Sequence, residues 1–94
     1  MFTFYIDPGH GWLAVRVQDL RALDLSAVDF TKYSHVSGDG AVFFLEEDCD
    51  APKFINAYRA RHGQEPVIRE RQAFNIRRLP RNAAGMWKPF ARQS

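Results

Sequence analysis

The fold is decided by residues 2–17, FTFYIDPGHGWLAVRV, in which two apolar runs flank a polar break. Phe2–Ile6 is aromatic and β-branched, a composition that favours a β-strand. Pro8 presets φ for the first central position of a turn, and Gly9 supplies the positive φ that a type II turn needs next. Residues 12–17 resume the apolar pattern as a second strand. We therefore predict a β-hairpin at the start of the chain.

Short helical and strand patterns follow the hairpin. Residues 18–24 carry apolar side chains at mixed three- and four-residue spacing, which predicts a short amphipathic helix. Ser26 and Asp29 have the spacing of a capping box and predict a second short helical turn. Residues 33–36 and 41–47 flank a Ser-Gly-Asp-Gly turn and predict a second hairpin.

The last helix and strand complete the pattern. Residues 51–62 predict a helix, with Pro52 in the first turn and Gly63 at the C-terminal end. Residues 65–74 alternate as a final strand. The order ββα(α)ββαβ predicts an α+β fold, a small single-layer antiparallel or mixed sheet with helices on one face. We expect one domain over residues 1–81 and a C-terminal tail over residues 82–94.

The composition excludes several classes of protein. The 94 residues include eight Phe, three Tyr and two Trp, enough aromatic area for a core, and a single Cys, which excludes a disulfide framework. The longest apolar run, residues 41–45, is far below the ~20 residues that span a bilayer. No export leader is visible, so a cytoplasmic protein without membrane contact is expected. Neither a metal-binding spacing nor a cofactor motif is present, so we expect no metal and no cofactor.

The net charge of +2 conceals two oppositely charged halves. Residues 1–52 hold three basic and nine acidic groups, a net charge of −6, whereas residues 53–94 hold ten basic and two acidic groups, a net charge of +8. Such an asymmetry indicates an electrostatic partner. Guanidinium groups bind phosphate or carboxylate, and aromatic rings stack on single-stranded bases. The predicted partner-binding residues are Arg69, Arg71, Arg77, Arg78, Arg81, Trp87, Lys88 and Phe90. The alternative is that these arginines pair with the acids of the first half.

The acidic motif at residues 45–51, LEEDCDA, has a structural interpretation. Asp48 or Asp50 is suited to capping the following helix, where carboxylates meet free N–H groups. Cys49 between them is interpreted as a buried structural thiol. Asp7 is expected to shape its turn through its own backbone, with His10 on the surface.

Two motifs carry a resemblance to a known family. With residues 7–13, DPGHGWL, and 45–51, LEEDCDA, the chain resembles small uncharacterised proteins of proteobacterial phages, prophages and plasmids. Tyr33, Ser34, Phe54, Ile76 and Arg77 fit the same pattern, whereas His35 and the tail after Arg81 depart from it. The resemblance implies an accessory protein of a mobile genetic element, and it assigns no catalytic residue.

The function predicted from the sequence is binding without catalysis. The partner is nucleic acid, a nucleoprotein complex or an acidic protein in the host cytoplasm, and inhibition of a host defence complex, in the manner of an anti-CRISPR protein, is the concrete form that the resemblance suggests. One alternative is a small enzyme or enzyme modifier that uses Asp7, His10 and Cys49. The other is an oligomeric accessory protein that buries Trp87 and Phe90 between subunits.

Overall fold

A five-stranded mixed sheet forms the centre of the computed structural model, which describes residues 1–73 and 75–85. The strand order is β3-β4-β2-β1-β5, and β5 runs parallel to β1 while the other neighbours are antiparallel. The strands are β1 (Phe2–Ile6), β2 (Gly11–Arg16), β3 (His35–Val36), β4 (Val42–Glu46) and β5 (Ile68–Gln72). The helices are α1 (Val17–Ala22) and α2 (Asp50–His62), and short 3-10 helices lie at Ala27–Asp29, Ile76–Arg78 and Ala83–Gly85. The predicted α+β fold and element order are confirmed.

One face of the sheet, the inner face, carries the core. Leu13 of β2 pairs with Phe4 of β1 and Leu45 of β4, and because paired residues point to the same side, these side chains form one apolar layer. Phe54 of α2 packs edge-on against Phe2, with ring centroids 5.3 Å apart, and is fully buried. The helices α1 and α2 both contribute to this core, which places them on one face as predicted.

Local sequence signals set the ends of the helices. The Asp29 carboxylate accepts a hydrogen bond from Ser26 N at 2.9 Å, which confirms the predicted capping interaction around the 3-10 helix. α2 ends at His62 and is followed by Gly63, whose φ of 69° is the left-handed conformation that glycine adopts without strain. Within residues 1–73 and 75–85, no helix is long and apolar enough to cross a bilayer.

Neither Asp48 nor Asp50 caps α2, so the predicted capping role of these residues is wrong. The N-cap residue is Cys49, and no side chain caps the helix there. The Asp50 Oδ2 atom instead accepts hydrogen bonds from Thr31 N at 2.9 Å, Thr31 Oγ1 at 2.7 Å and Ser34 Oγ at 2.5 Å. Ser34 Oγ in turn accepts a hydrogen bond from Glu46 N. These hydrogen bonds join the loop before β3 to the start of α2. Because Asp50 is only 1% exposed, they lie inside the protein.

The chain after β5 crosses to the opposite edge of the sheet, and we call residues 75–82 the strap. Ala73 N donates to Ile6 O beside β5, whereas Pro80 O accepts from Val36 N at β3. The strap ends at Asn82, which is 2% exposed and whose side-chain amide donates to the carbonyls of Ala27, Phe30 and Thr31. The fold therefore packs its last described segment against the far edge of the sheet.

Replacement of Asp50 tests its role as an internal fastener. Asp50→Ala leaves three buried donors without their acceptor, so we expect the free energy of unfolding to fall by about 3 kcal/mol or more. Asp50→Asn keeps an acceptor oxygen at the same place and should lose distinctly less. Urea unfolding measures both values. The exposed neighbour provides the control, because Asp48→Ala should change stability by no more than about 0.5 kcal/mol. Equal losses from Asp50→Ala and Asp50→Asn would contradict this role.

Candidate functional site

The turn between β1 and β2 is built on the Asp7 side chain. Asp7 Oδ1 accepts hydrogen bonds from Gly9 N and His10 N, both at 2.9 Å. His10 is exposed, as predicted. Among the described glycines only Gly40 and Gly63 have positive φ, so the predicted type II turn at Gly9 is wrong. The carboxylate itself holds the loop backbone, which removes the need for a left-handed residue.

The same carboxylate binds Arg77 of the strap. Arg77 Nε lies 2.9 Å from Asp7 Oδ2, and Nη2 lies 3.1 Å from Oδ1. A Cβ atom at Gly9 would stand 2.6 Å from Nη2, so the missing side chain of Gly9 makes room for the guanidinium. The hydrogen bonds from Arg77, together with those from Gly9 and His10, lower the pKa of Asp7 from 3.8 to about 2, against a smaller opposing effect of burial.

The strap covers one end of the outer face, the side of the sheet that faces away from α1 and α2. The Arg77 guanidinium carbon lies 5.9 Å from the centroid of the Trp12 ring, and Trp12 is only 2% exposed. His35 on β3 packs against the other side, with its ring centroid 5.9 Å from that of Trp12 and its Nδ1 donating to Leu79 O at 2.9 Å. The central tryptophan is thus enclosed by β3, the first turn and the strap.

A pocket of about 360 Å³ opens beside this tryptophan. Its floor comes from the sheet, its basic wall from the strap, and its acidic wall from the loop between β4 and α2. The lining residues are His10, Trp12, Tyr33, His35, Glu46, Asp48, Cys49, Arg77 and Arg81. A pocket of this size is within the range of small-molecule sites, and aromatic walls with a few charged groups are typical of them.

The residues of the enzyme alternative do not form an acid–base pair around Asp7. The pKa of about 2 keeps Asp7 ionised at neutral pH, with both oxygens occupied by the turn and Arg77. Cys49 and His10 do line the same pocket, but Cys49 is exposed, so its interpretation as a buried thiol is wrong. Within the described chain, no group of three or more His, Cys, Asp or Glu side chains is arranged to hold a metal ion.

The predicted basic residues divide between two places. Arg69 and Arg71 pair with Thr3 and Tyr5, so both point to the outer face at the β5 edge. Arg77, Arg78 and Arg81 lie on the strap. Trp87, Lys88 and Phe90 lie outside the described residues. The structure thus places one part of the predicted surface on the edge strand and the other on the strap.

Pairing with the acidic half accounts for some of the arginines. Arg77 binds Asp7, and Arg61 binds Asp24 at 3.3 Å. Arg59 pairs with Glu65 inside the basic half and contributes nothing to contact between the halves. In the part of the chain that the structure describes, no carboxylate forms an ion pair with Arg69, Arg71, Arg78 or Arg81.

Two aromatic residues of the outer face were missed from the sequence. Tyr5 and Phe44 are half-buried, with ring centroids 6.0 Å apart, and lie between the Arg69–Arg71 pair and β3. The signal was present, because alternation along β1 and β4 places these rings opposite the core residues Phe4 and Leu45. Ala14 of β2 pairs with Phe44 and with Thr3, and a shallow depression beside it is lined by Thr3 and Tyr5. We call Tyr5, Phe44, Arg69 and Arg71 the outer-face cluster.

Comparison of the chain with models of known protein families, with curated protein sequences and with solved structures found no match in any of the three. The functional argument therefore depends on the geometry described above.

The Asp7–Arg77 pair predicts a specific sensitivity to acid. Because the pKa of Asp7 is about 2 in the folded chain against 3.8 ordinarily, its contribution to stability is complete above about pH 4 and is lost as the pH falls towards 2. Asp7→Asn should lower stability at neutral pH, and the deficit should shrink with acid. Arg77→Gln should raise the pKa of Asp7 and shift the loss to higher pH. Urea unfolding across this pH range measures both effects, and a deficit independent of pH would refute the assignment.

Proposed function

We propose that this chain is a non-catalytic binding protein that engages single-stranded nucleic acid through the outer-face cluster. The observation that carries the proposal is the placement of Arg69 and Arg71 on the outer face, where Arg71 pairs with Tyr5 and the Tyr5 ring lies 6.0 Å from that of Phe44. Phosphate groups bind guanidinium groups, and bases stack on aromatic rings whatever their sequence. These two requirements of single-stranded nucleic acid are met on one continuous surface.

The charges around the cluster support an anionic partner. Arg69 donates to Thr3 Oγ1 at 3.4 Å and Arg71 to the carbonyl of Glu70 at 3.0 Å, so neither guanidinium is neutralised by these contacts. Glu70 lies between them in sequence, but alternation sends it to the inner face, where it pairs in register with Phe4. The outer face of β5 therefore presents two positive side chains whose Cα atoms are about 6.6 Å apart along the strand.

The rest of the proposal follows the expectations of the sequence. We propose that the protein acts in the cytoplasm of a host cell as an accessory protein of a mobile genetic element, and that the nucleic acid belongs to a host nucleoprotein complex, such as a defence complex. The commitment of Asp7 to Arg77 and to its own turn supports a role without catalysis. An acidic protein is the competing partner, and the experiments below distinguish it.

Salt dependence tests the role of the arginines. The probe is a fluorescein-labelled oligothymidylate of about 15 nucleotides, titrated at several salt concentrations by fluorescence anisotropy. Arg69→Gln combined with Arg71→Gln should weaken binding and reduce the slope of log K against log salt by about 1.4, since each phosphate contact on a single strand contributes about 0.7. The matched control is Arg59→Gln, which removes an exposed charge on α2 that is paired with Glu65. Absence of binding to both oligothymidylate and oligouridylate at low salt would overturn the proposal and favour an acidic protein.

Loss of a ring tests stacking separately from charge. Phe44→Leu keeps an apolar side chain on β4 but removes the aromatic face, so we expect affinity to fall about 5- to 150-fold, the range that corresponds to about 1–3 kcal/mol per stacked base. The salt slope should stay as in the unmodified protein, because no charge changes. The control is Tyr33→Leu, an exposed ring that lies outside the outer-face cluster. Unchanged affinity in Phe44→Leu, with the fold intact by circular dichroism, would exclude stacking on this face.

A further inference from the structure

We propose that the pocket beside Trp12 is a second site, which binds a nucleoside monophosphate whose base carries an exocyclic amine. This site is distinct from the outer-face cluster, because none of Tyr5, Phe44, Arg69 and Arg71 lines it. The proposal concerns a free nucleotide and does not depend on polymer binding.

The basic wall is suited to a phosphate group. Arg77 and Arg81 both reach the pocket from the strap. The pair with Asp7 uses Nε and Nη2 of Arg77, so Nη1 remains for a ligand. Arg81 donates through Nη1 to Lys32 O at a distance of 3.4 Å, a long bond that leaves most of its guanidinium donors for an anion. Two guanidinium groups on one wall favour a group with several acceptor oxygens.

The aromatic residues are suited to a planar ring. Tyr33, with 53% of its surface exposed, stands at the pocket beside the rings of Trp12 and His35. The Lys32 ammonium group lies 5.6 Å from the centroid of the Tyr33 ring. Offset or edge-on aromatic contacts stabilise a bound base without specifying its sequence.

The acidic wall is suited to a donor on the far end of the ligand. Glu46 accepts hydrogen bonds from Asp48 N and Cys49 N, both at 2.8 Å, so its carboxylate is fixed in the loop rather than directed freely. Asp48 is exposed and lines the same wall. A ligand that meets this wall must present a hydrogen-bond donor, since another anion would be repelled. The exocyclic amine of adenine, cytosine or guanine presents two donor hydrogens to this wall. Uracil presents only its ring N3–H, which lies between two carbonyl oxygens that the wall would repel.

Trp12 provides a direct reporter of binding. The chain has two tryptophans, Trp12 and Trp87, so Trp87→Phe leaves Trp12 as the only indole. We expect AMP, CMP and GMP to change its fluorescence in a saturable manner below about 1 mM, a modest affinity for a ligand of this size. Isothermal titration calorimetry with the unmodified protein checks that Trp87→Phe has not altered the site. Inorganic phosphate and adenosine alone should bind more weakly than AMP, because each engages one part of the pocket.

Variants separate this site from the outer face. Arg81→Gln should weaken AMP binding about tenfold or more, the loss that corresponds to one hydrogen bond to a charged group. Tyr33→Leu should also weaken AMP binding while leaving affinity for oligothymidylate unchanged, since Tyr33 lines this pocket and lies outside the outer-face cluster. Arg59→Gln on α2 is the charge-matched control. Circular dichroism and the urea midpoint verify that each variant is folded.

Several results would overturn the inference. A lack of saturable signal with AMP, CMP and GMP would exclude the site, as would phosphate alone binding as tightly as AMP. If UMP bound as tightly as CMP, the acidic wall would not recognise the exocyclic amine, and that part of the inference would be wrong. Loss of oligothymidylate binding in Arg69→Gln/Arg71→Gln with AMP binding intact would show that the two sites are independent, and an equal loss of both would contradict their separation.

Discussion

The carboxylate of Asp7 is the contact on which the functional end of the molecule depends. It holds the backbone of the first turn and binds Arg77, which is 70 residues further along the chain. This pair holds the start of the strap at the first turn, while Pro80 and Asn82 hold its other end beside β3. The strap then encloses Trp12, and the pocket acquires its basic wall. Because the pair is local to one end, it organises this site while the core on the inner face is built independently of it.

The acidic groups of the first half and the basic groups of the second half have different roles in the folded chain. Some acids of the first half serve the backbone: Asp29 caps the 3-10 helix, Glu46 holds the loop after β4, and Asp50 fastens the loop before β3. Fewer of the arginines in the second half have such structural contacts. Arg77 is committed to Asp7, whereas Arg69 and Arg71 stand on the outer face without an acidic partner among the described residues. Some of the charged groups of the two halves therefore hold the fold together, and others remain on the surface.

Local sequence signals predicted the helices and strands, whereas contacts between residues far apart in the sequence could not be predicted. The apolar, β-branched and aromatic composition of residues 2–6 and 12–17, with the Pro-Gly break between them, was sufficient to predict the first hairpin, and Gly63 marked the end of α2. The role of Asp50 could not be predicted because its partner Thr31 is 19 residues away, and the capping rule considers only neighbours within a turn. The pocket could not be predicted for the same reason, because its residues Cys49, His10 and Arg81 come from segments that are far apart in the sequence. Tyr5 and Phe44 were within reach, since alternation fixes the face of each strand residue.

β5 is an edge strand whose five residues are all exposed, and its charges restrict how that edge can be extended. If two copies of the chain paired their β5 strands antiparallel about Glu70, Arg69 of one copy would stand opposite Arg71 of the other, and Glu70 would face its own counterpart. Like charges directly opposite each other destabilise a strand pair. Among the described residues no strand pairs with the outer edge of β5, and its charges protect it against self-association, as they commonly do on edge strands. A strand that did add here would need acidic residues facing both arginines.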